Sequence, residues 1–485
     1  MGQGDKYGEC YTEKVQETKS EQATEKRKVK WKNREEHVRR ERSDLDWKAI
    51  LQFGILPRRW MRNQWRRYAL VPKSCPFQGF QDQGRYSFRF EQLRCAIMGA
   101  DSYGQQGHET TAEMRVHPVE VKSLPQDVLD DISCITGGGG HTVILTTSGK
   151  LYSAGWNNKG QLGYKTPGGH SAAFKLIEKL SKHHIISISC GWDFTAAVDV
   201  NGRLFTWGSN SFGQLGLPRS QVKDCTHEPA EVPLPYPAKT VSAGLRHAAV
   251  VTVNFSVFMW GSDRRGQLGT SGGSVADIKL PHSSKPNTWG TQIQQIEGPN
   301  EVQSIPLSED VTCGQNSTMI LAKNGKVYSF GDNKFGTLSI PKEDITTEPV
   351  CVPDHHFGAE RLTALKLGWT HGIALTCEGN VYTWGRNNYG QLGRLTQEDQ
   401  DYHSIQVILP NKCTKVCCGS EHCLVALKDN TVMSWGFNEH GTCGIGSHEK
   451  MILSPAKVLL PPKNKPIMIG GGYGCSFCLI APVTV

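Results

Sequence analysis

The sequence predicts an all-β protein, a closed seven-bladed β-propeller preceded by a basic N-terminal extension. Three observations carry this reading: a glycine-centred signature present in seven copies, a second signature that alternates with it, and complementary half-repeats at the two ends.

The first signature places glycines at Gly99, Gly155, Gly208, Gly261, Gly331, Gly385 and Gly436, spaced by 56, 53, 53, 70, 54 and 51 residues. Its fullest copies read TWGSNSFGQLG, MWGSDRRGQLG and TWGRNNYGQLG. The second reads GGGHTVIL from 138, GWDFTAAV from 191, GLRHAAVV from 244, GQNSTMIL from 314, GWTHGIAL from 368, GSEHCLVA from 419 and GYGCSFCL from 472. A period above 50 residues in seven copies marks a repeat architecture of one blade per unit.

Within a unit, the short apolar run after the second signature is a strand. A turn such as Val200-Asn201-Gly202-Arg203 follows, then an alternating run such as KVYSFG, which makes a hairpin. Upstream pieces such as HPVEV (117–121) and DISCIT (131–136) supply two further strands, and four short strands form a propeller blade. The GQLG turn is expected to carry the chain from one blade to the next, with its leucine buried between them.

The seventh copy stops after one hairpin strand, CSFCLIAP (475–482), and the first begins with an unpaired strand, QLRCAIMG (92–99). Pairing them closes the ring and removes two exposed sheet edges. The propeller is therefore expected over 92–485, and the extension over 1–91.

The extension reads differently. Residues 1–95 carry 22 Lys/Arg against 13 Asp/Glu, which leaves the repeat region near neutral although the chain is +8 overall. Residues 1–50 are poor in apolar side chains, so the extension is expected to be largely disordered. Its run Lys26-Arg27-Lys28-Val29-Lys30 has the character of a nuclear import signal, and nucleic acid contact is expected only through this tail. No apolar stretch is long enough to span a membrane and no secretory leader opens the chain, so the 16 cysteines are expected to be reduced thiols and the protein to be cytoplasmic with a nuclear fraction.

The paired signatures resemble the regulator-of-chromosome-condensation propeller family, and ITGGGGHT, SCGWDFT, AGLRHA, WTH, CGSEH and WGFNEHGTCG are similar to its branch of secretion-regulating guanine nucleotide exchange factors. The resemblance implies a monomeric regulator that binds a small GTPase, with a link to the secretory machinery and no covalent catalysis. It also implies exchange residues, two aspartates and a histidine, at positions that here are Trp192, Arg246 and Thr370. The family's projecting wedge aligns with Ser209–Arg219, an ordinary short turn in this chain. These departures point away from exchange on Ran. They leave open exchange on another GTPase, a non-catalytic interaction propeller, or a chromatin-associated role resting on the basic tail.

Partner contacts are expected where residues vary inside the second signature. Trp192, Asp193, Leu245, Arg246, Trp369, Thr370, Ser420 and Glu421 should share one face, and Trp and Arg are favoured interface anchors. The fourth repeat's extra segment, 270–290, is a second candidate contact. His141, His247, His371 and His422 occupy one repeat position in four blades, and Cys190, Cys313 and Cys418 another, so both sets read as structural. Cys413, Cys417, Cys418 and Cys423 lack a second paired motif, so no metal is expected. No GxxxxGK[ST] string occurs, and no cofactor is expected.

Overall fold

The computed structural model describes residues 92–269, 295–396 and 398–483; the extension 1–91 and the segment 270–290 lie outside the described residues. The described chain forms seven four-stranded antiparallel sheets, a seven-bladed β-propeller. The first strand of each blade contacts the first strands of its neighbours, which places those strands around the central axis.

Six blades are continuous in sequence. The first, for example, runs Ile132–Gly137, His141–Thr146, Leu151–Trp156 and His170–Leu176. The seventh is shared: Asn464–Gly471 and Cys475–Pro482 from the C-terminal end meet Arg94–Asp101 and Ala112–Glu120 from the N-terminal side. Ile97 lies opposite Phe477 and Gly99 opposite Cys475.

Second strands are buried along their whole length because a blade packs on both of its faces. In Phe194–Asp199, Ala196 and Val198 join the cluster shared with the third blade, while Ala197 joins the one shared with the first. Side chains of period two thus feed two different cores, and the strand reads as a continuous apolar run.

The structure corrects the expected position of the GQLG turn. It joins the third and fourth strands of the same blade, since Leu151–Trp156 and His170–Leu176 flank it and pair with each other. It still links blades, since Leu215 and Leu268 bury in the cores shared with the next blade as expected, and hydrogen bonds add to this. The Gln161 carbonyl accepts from Trp207 Nε1 at 2.9 Å and from Thr195 Oγ1 at 3.0 Å, both in the second blade. The signature asparagine shapes the turn: Asn157 Oδ1 accepts from the Leu162 amide at 3.0 Å, and Asn210, Asn333 and Asn387 repeat this. Gly155 sits at φ 109°, and a Cβ there would fall 2.3 Å from the Gly140 carbonyl oxygen. Only glycine fits so close to the neighbouring loop.

Candidate functional site

The loops of both signatures emerge at one end of the propeller. The backbone shows why: Trp156 N donates to Gly140 O, Ser209 N to Asp193 O and Arg386 N to Thr370 O, so the end of each third strand abuts the loop between the first two. Successive loops are also linked around the axis, with Gly139 N donating to Trp192 O, Trp369 N to Ser420 O and Tyr473 N to Gly138 O.

Two of the expected site residues meet at the axis. Trp192 and Trp369, from the second and fifth blades, lie 5.6 Å apart by ring centroids, and Tyr473 of the seventh blade lies 6.0 Å and 5.5 Å from them. Rings from such distant blades approach one another only over the central channel. The three rings therefore form a half-buried aromatic floor to this face.

Arg246 stands exposed on the rim, its guanidinium 4.1 Å from the centre of the Phe212 ring, with Arg264 at 5.9 Å from the same ring. Asp193 is half-buried beside them, held by Gln214 Nε2 at 3.4 Å. A second unit of the same kind places Arg386 4.7 Å from Phe335 and 4.9 Å from Tyr389. Sequence reasoning missed Phe212, Phe335 and Tyr389. The signal was the aromatic directly before the glycine in SFGQLG, KFGTL and NYGQLG.

Thr370 and Glu421 lie elsewhere than expected. Both are 6% exposed, and Ser420 is 7% exposed, so they offer no surface to a partner. Thr370 Oγ1 donates to the Glu421 carboxylate at 2.8–2.9 Å, and Gln391 Nε2 donates at 2.8 Å. A buried carboxylate needs such donors to replace water, and they turn it inward.

The four signature histidines form inter-blade contacts. His141 Nε2 meets Thr195 Oγ1 at 2.9 Å, His247 Nε2 meets Thr318 Oγ1 at 3.1 Å, and His422 Nε2 meets Ser476 Oγ at 2.8 Å. His371 meets a thiol instead, Cys423 Sγ at 3.2 Å. Where the position is not histidine, as at Phe194 and Ser317, the next blade carries Ala248 and Gly372 at the facing site. The pairing is thus written in sequence, one blade apart.

Burial lowers His141 and His422 to about 3 and His247 to about 4, with the His371 charge adding to the effect at His422. In the unfolded chain each titrates near its ordinary value of roughly 6.5. The unfolded state therefore binds more protons between those values, so their stabilising contribution is complete above about pH 6.5 and is lost as pH falls toward 4. A denaturation midpoint measured from pH 7 to pH 4 should fall. The His247→Gln variant should show a shallower fall, and an unchanged slope would remove His247 from the account.

His371 behaves oppositely. Burial pulls it down, yet the Cys418 thiolate and the Glu421 carboxylate beside it raise it well above the ordinary imidazole range. Burial likewise pushes Cys418 up, but the Cys423 thiol and the His371 imidazolium bring it below the ordinary thiol range. The other described cysteines are also free thiols, and no described helix is long and apolar enough to cross a membrane.

Residues 94–478 match the RCC1-like domain. The chain belongs to the RCC1-like domain family. Over 409 residues it is 34% identical to the mouse secretion-regulating guanine nucleotide exchange factor, covering 79% of this chain and 82% of that protein. It is 31% identical over 359 residues to the ultraviolet-B receptor UVR8 of Arabidopsis thaliana, covering 72% and 74%. The crystal structure of Prp20p from Saccharomyces cerevisiae, described with its binding to Gsp1p and histones, superposes with a TM-score of 0.69 at 21% identity over 81% of this chain and 92% of Prp20p. That likeness shows the fold. The mouse relative is by name a guanine nucleotide exchange factor, and the Arabidopsis relative is by name a light receptor.

Proposed function

We propose that this RCC1-like propeller is a guanine nucleotide exchange factor that binds a small GTPase through the face carrying Trp192, Asp193, Arg246 and Trp369. The observation that carries the reading is the exposed Arg246 guanidinium stacked on Phe212 beside Arg264. A stacked arginine is already ordered, so it loses little freedom on binding while still presenting its donors. The half-buried Trp192, Trp369 and Tyr473 rings supply apolar area at the centre of the same face.

Exchange then needs no covalent step. A face that binds the nucleotide-free GTPase more tightly than the loaded one weakens nucleotide binding by the same factor. An acceleration of about 10⁴ corresponds to roughly 5.5 kcal/mol of differential binding. The kinship with a secretion-regulating factor supports a role near the secretory machinery. Location in the cytoplasm, with a nuclear fraction directed by residues 26–30, belongs to the same proposal and is read by imaging the full chain with and without those basic side chains.

Release of mant-GDP from a panel of small GTPases tests the proposal. One member should show accelerated release, and Arg246→Glu should weaken its binding by roughly 2 kcal/mol or more. The second reading, a non-catalytic interaction propeller, is favoured by the burial of Thr370 and Glu421, which leaves no carboxylate of Glu421 on the surface. Tightest binding to the GTP-loaded form without faster release selects it. Binding insensitive to Arg246→Glu removes the face assignment.

A further inference from the structure

The contact between the fifth and sixth blades differs from its sister junctions in one atom type, and the difference changes its chemistry. Two other junctions bring together a signature histidine, the cysteine before the next signature glycine and a threonine: His141, Cys190 and Thr195, then His247, Cys313 and Thr318. Here the threonine is replaced, and the set becomes His371, Cys418 and Cys423. Their Nε2 or Nδ1 and Sγ atoms lie within 4.8 Å of one another, the only such group of three among the described residues.

We propose that His371, Cys418 and Cys423 bind a borderline-soft divalent cation, zinc in the first instance, across the junction of the fifth and sixth blades.

The geometry supports this donor set. Zinc bonds of about 2.3 Å to sulfur and 2.0–2.1 Å to nitrogen at tetrahedral angles set a sulfur–sulfur edge of about 3.8 Å and a sulfur–nitrogen edge of about 3.6 Å. The corresponding separations are 3.9 Å between Cys418 and Cys423 and 3.2 Å between Cys423 and His371 Nε2. Reaching both edges asks for shifts of a few tenths of an ångström, within the play of side-chain torsions. Cys418 and Cys423 face each other in register on adjacent strands, so the hairpin already holds the two sulfurs together.

The surroundings supply a second, independent indication. The Glu421 carboxylate lies 3.8 Å from His371 Nδ1, the nitrogen left over when Nε2 binds, and closing by several tenths of an ångström would bring the two into hydrogen-bond reach. A carboxylate behind a ligating imidazole fixes its tautomer and strengthens it as a donor. Thr370 and Gln391 in turn hold that carboxylate in place. On binding, the Cys423 thiol and the His371 imidazolium release their protons to water, the Cys418 thiolate having none to lose, and the cation takes the place of the positive charge on His371. Cys418 is partly exposed, which leaves an approach for the ion and a fourth position for water.

The sister blades provide the control variants. Cys423→Thr restores the arrangement found at Thr195 and Thr318, and Cys418→Ala restores the residue found at Ala243, so both are expected to fold. The full chain, purified reduced, should retain about one more zinc per chain than Cys423→Thr when metal content is measured after gel filtration. Cobalt(II) added to the wild type should give thiolate charge-transfer absorption and intense tetrahedral bands that both variants lack. Zinc should raise the melting temperature of the wild type alone. Equal zinc in the wild type and in Cys423→Thr would place the metal on other cysteines and overturn the proposal. So would a weak octahedral cobalt spectrum, or a mass loss of two hydrogens showing a Cys418–Cys423 disulfide in place of metal uptake.

Discussion

Removal of residues 1–102 is expected to abolish cooperative folding, whereas removal of residues 1–91 should leave a propeller that melts in one transition. The strand Arg94–Asp101 is bonded on both sides, to Cys475–Pro482 and to Ala112–Glu120. It buries Cys95, Ala96, Ile97 and Met98, none more than 1% exposed. Ile97 and Met98 alone contribute about 1.5–3 kcal/mol each through burial. Phe477 and Leu479, packed with Ile97, and Cys478 and Ile480, packed with Met98, would be uncovered at the same time. Loss of the strand also opens two sheet edges and strands Ala112–Glu120 without a neighbour, which invites aggregation. Set against a total stability of roughly 5–15 kcal/mol, the loss is disabling. The shorter deletion keeps every strand of the ring. Circular dichroism melts and gel filtration of the two truncations decide the matter, and equal melting behaviour would show that this strand does not close the ring.

Replacement of Trp207 by alanine is expected to destabilise the fold by about 3–5 kcal/mol, the usual range for emptying a buried aromatic site. Trp207 is fully buried between the first and second blades, and its Nε1 donates to Gln161 O. Trp260, Trp384 and Trp435 repeat the contact on Gln214, Thr337 and Gln391. Trp207→Phe keeps most of the apolar volume and removes the N–H, but Thr195 Oγ1 still donates to Gln161 O. The loss for that variant should therefore be about 1–2 kcal/mol. Chemical denaturation read at unchanged slope separates the two. An alanine variant as stable as the wild type would show that the tryptophan ring is not what joins neighbouring blades.

Much of this architecture is legible in the chain. The returns of Gly99 through Gly436 mark seven units because each blade repeats the same close approach of backbone to loop. The half-repeats ending at Pro482 and starting at Arg94 announce their pairing, since each lacks what the other has. The connection made by the GQLG turn is not legible in the sequence for a physical reason: a glycine-rich turn looks the same within a blade as between blades. Only the pairing of Leu151–Trp156 with His170–Leu176 distinguishes the two.

The sequence by itself determined the fold class, the number of blades and the face on which variable residues emerge. All three follow from local patterns of period two and a period above 50 residues, which act identically in every copy. Tertiary structure alone decided what those residues do. It brought Trp192, Trp369 and Tyr473 together over the axis, turned Glu421 inward onto Thr370, and set Cys423 beside His371 and Cys418. All of these contacts except that of Cys418 with Cys423, which lies within one hairpin, join different blades, so they depend on closure of the ring and on the register between neighbours rather than on any segment's own propensity.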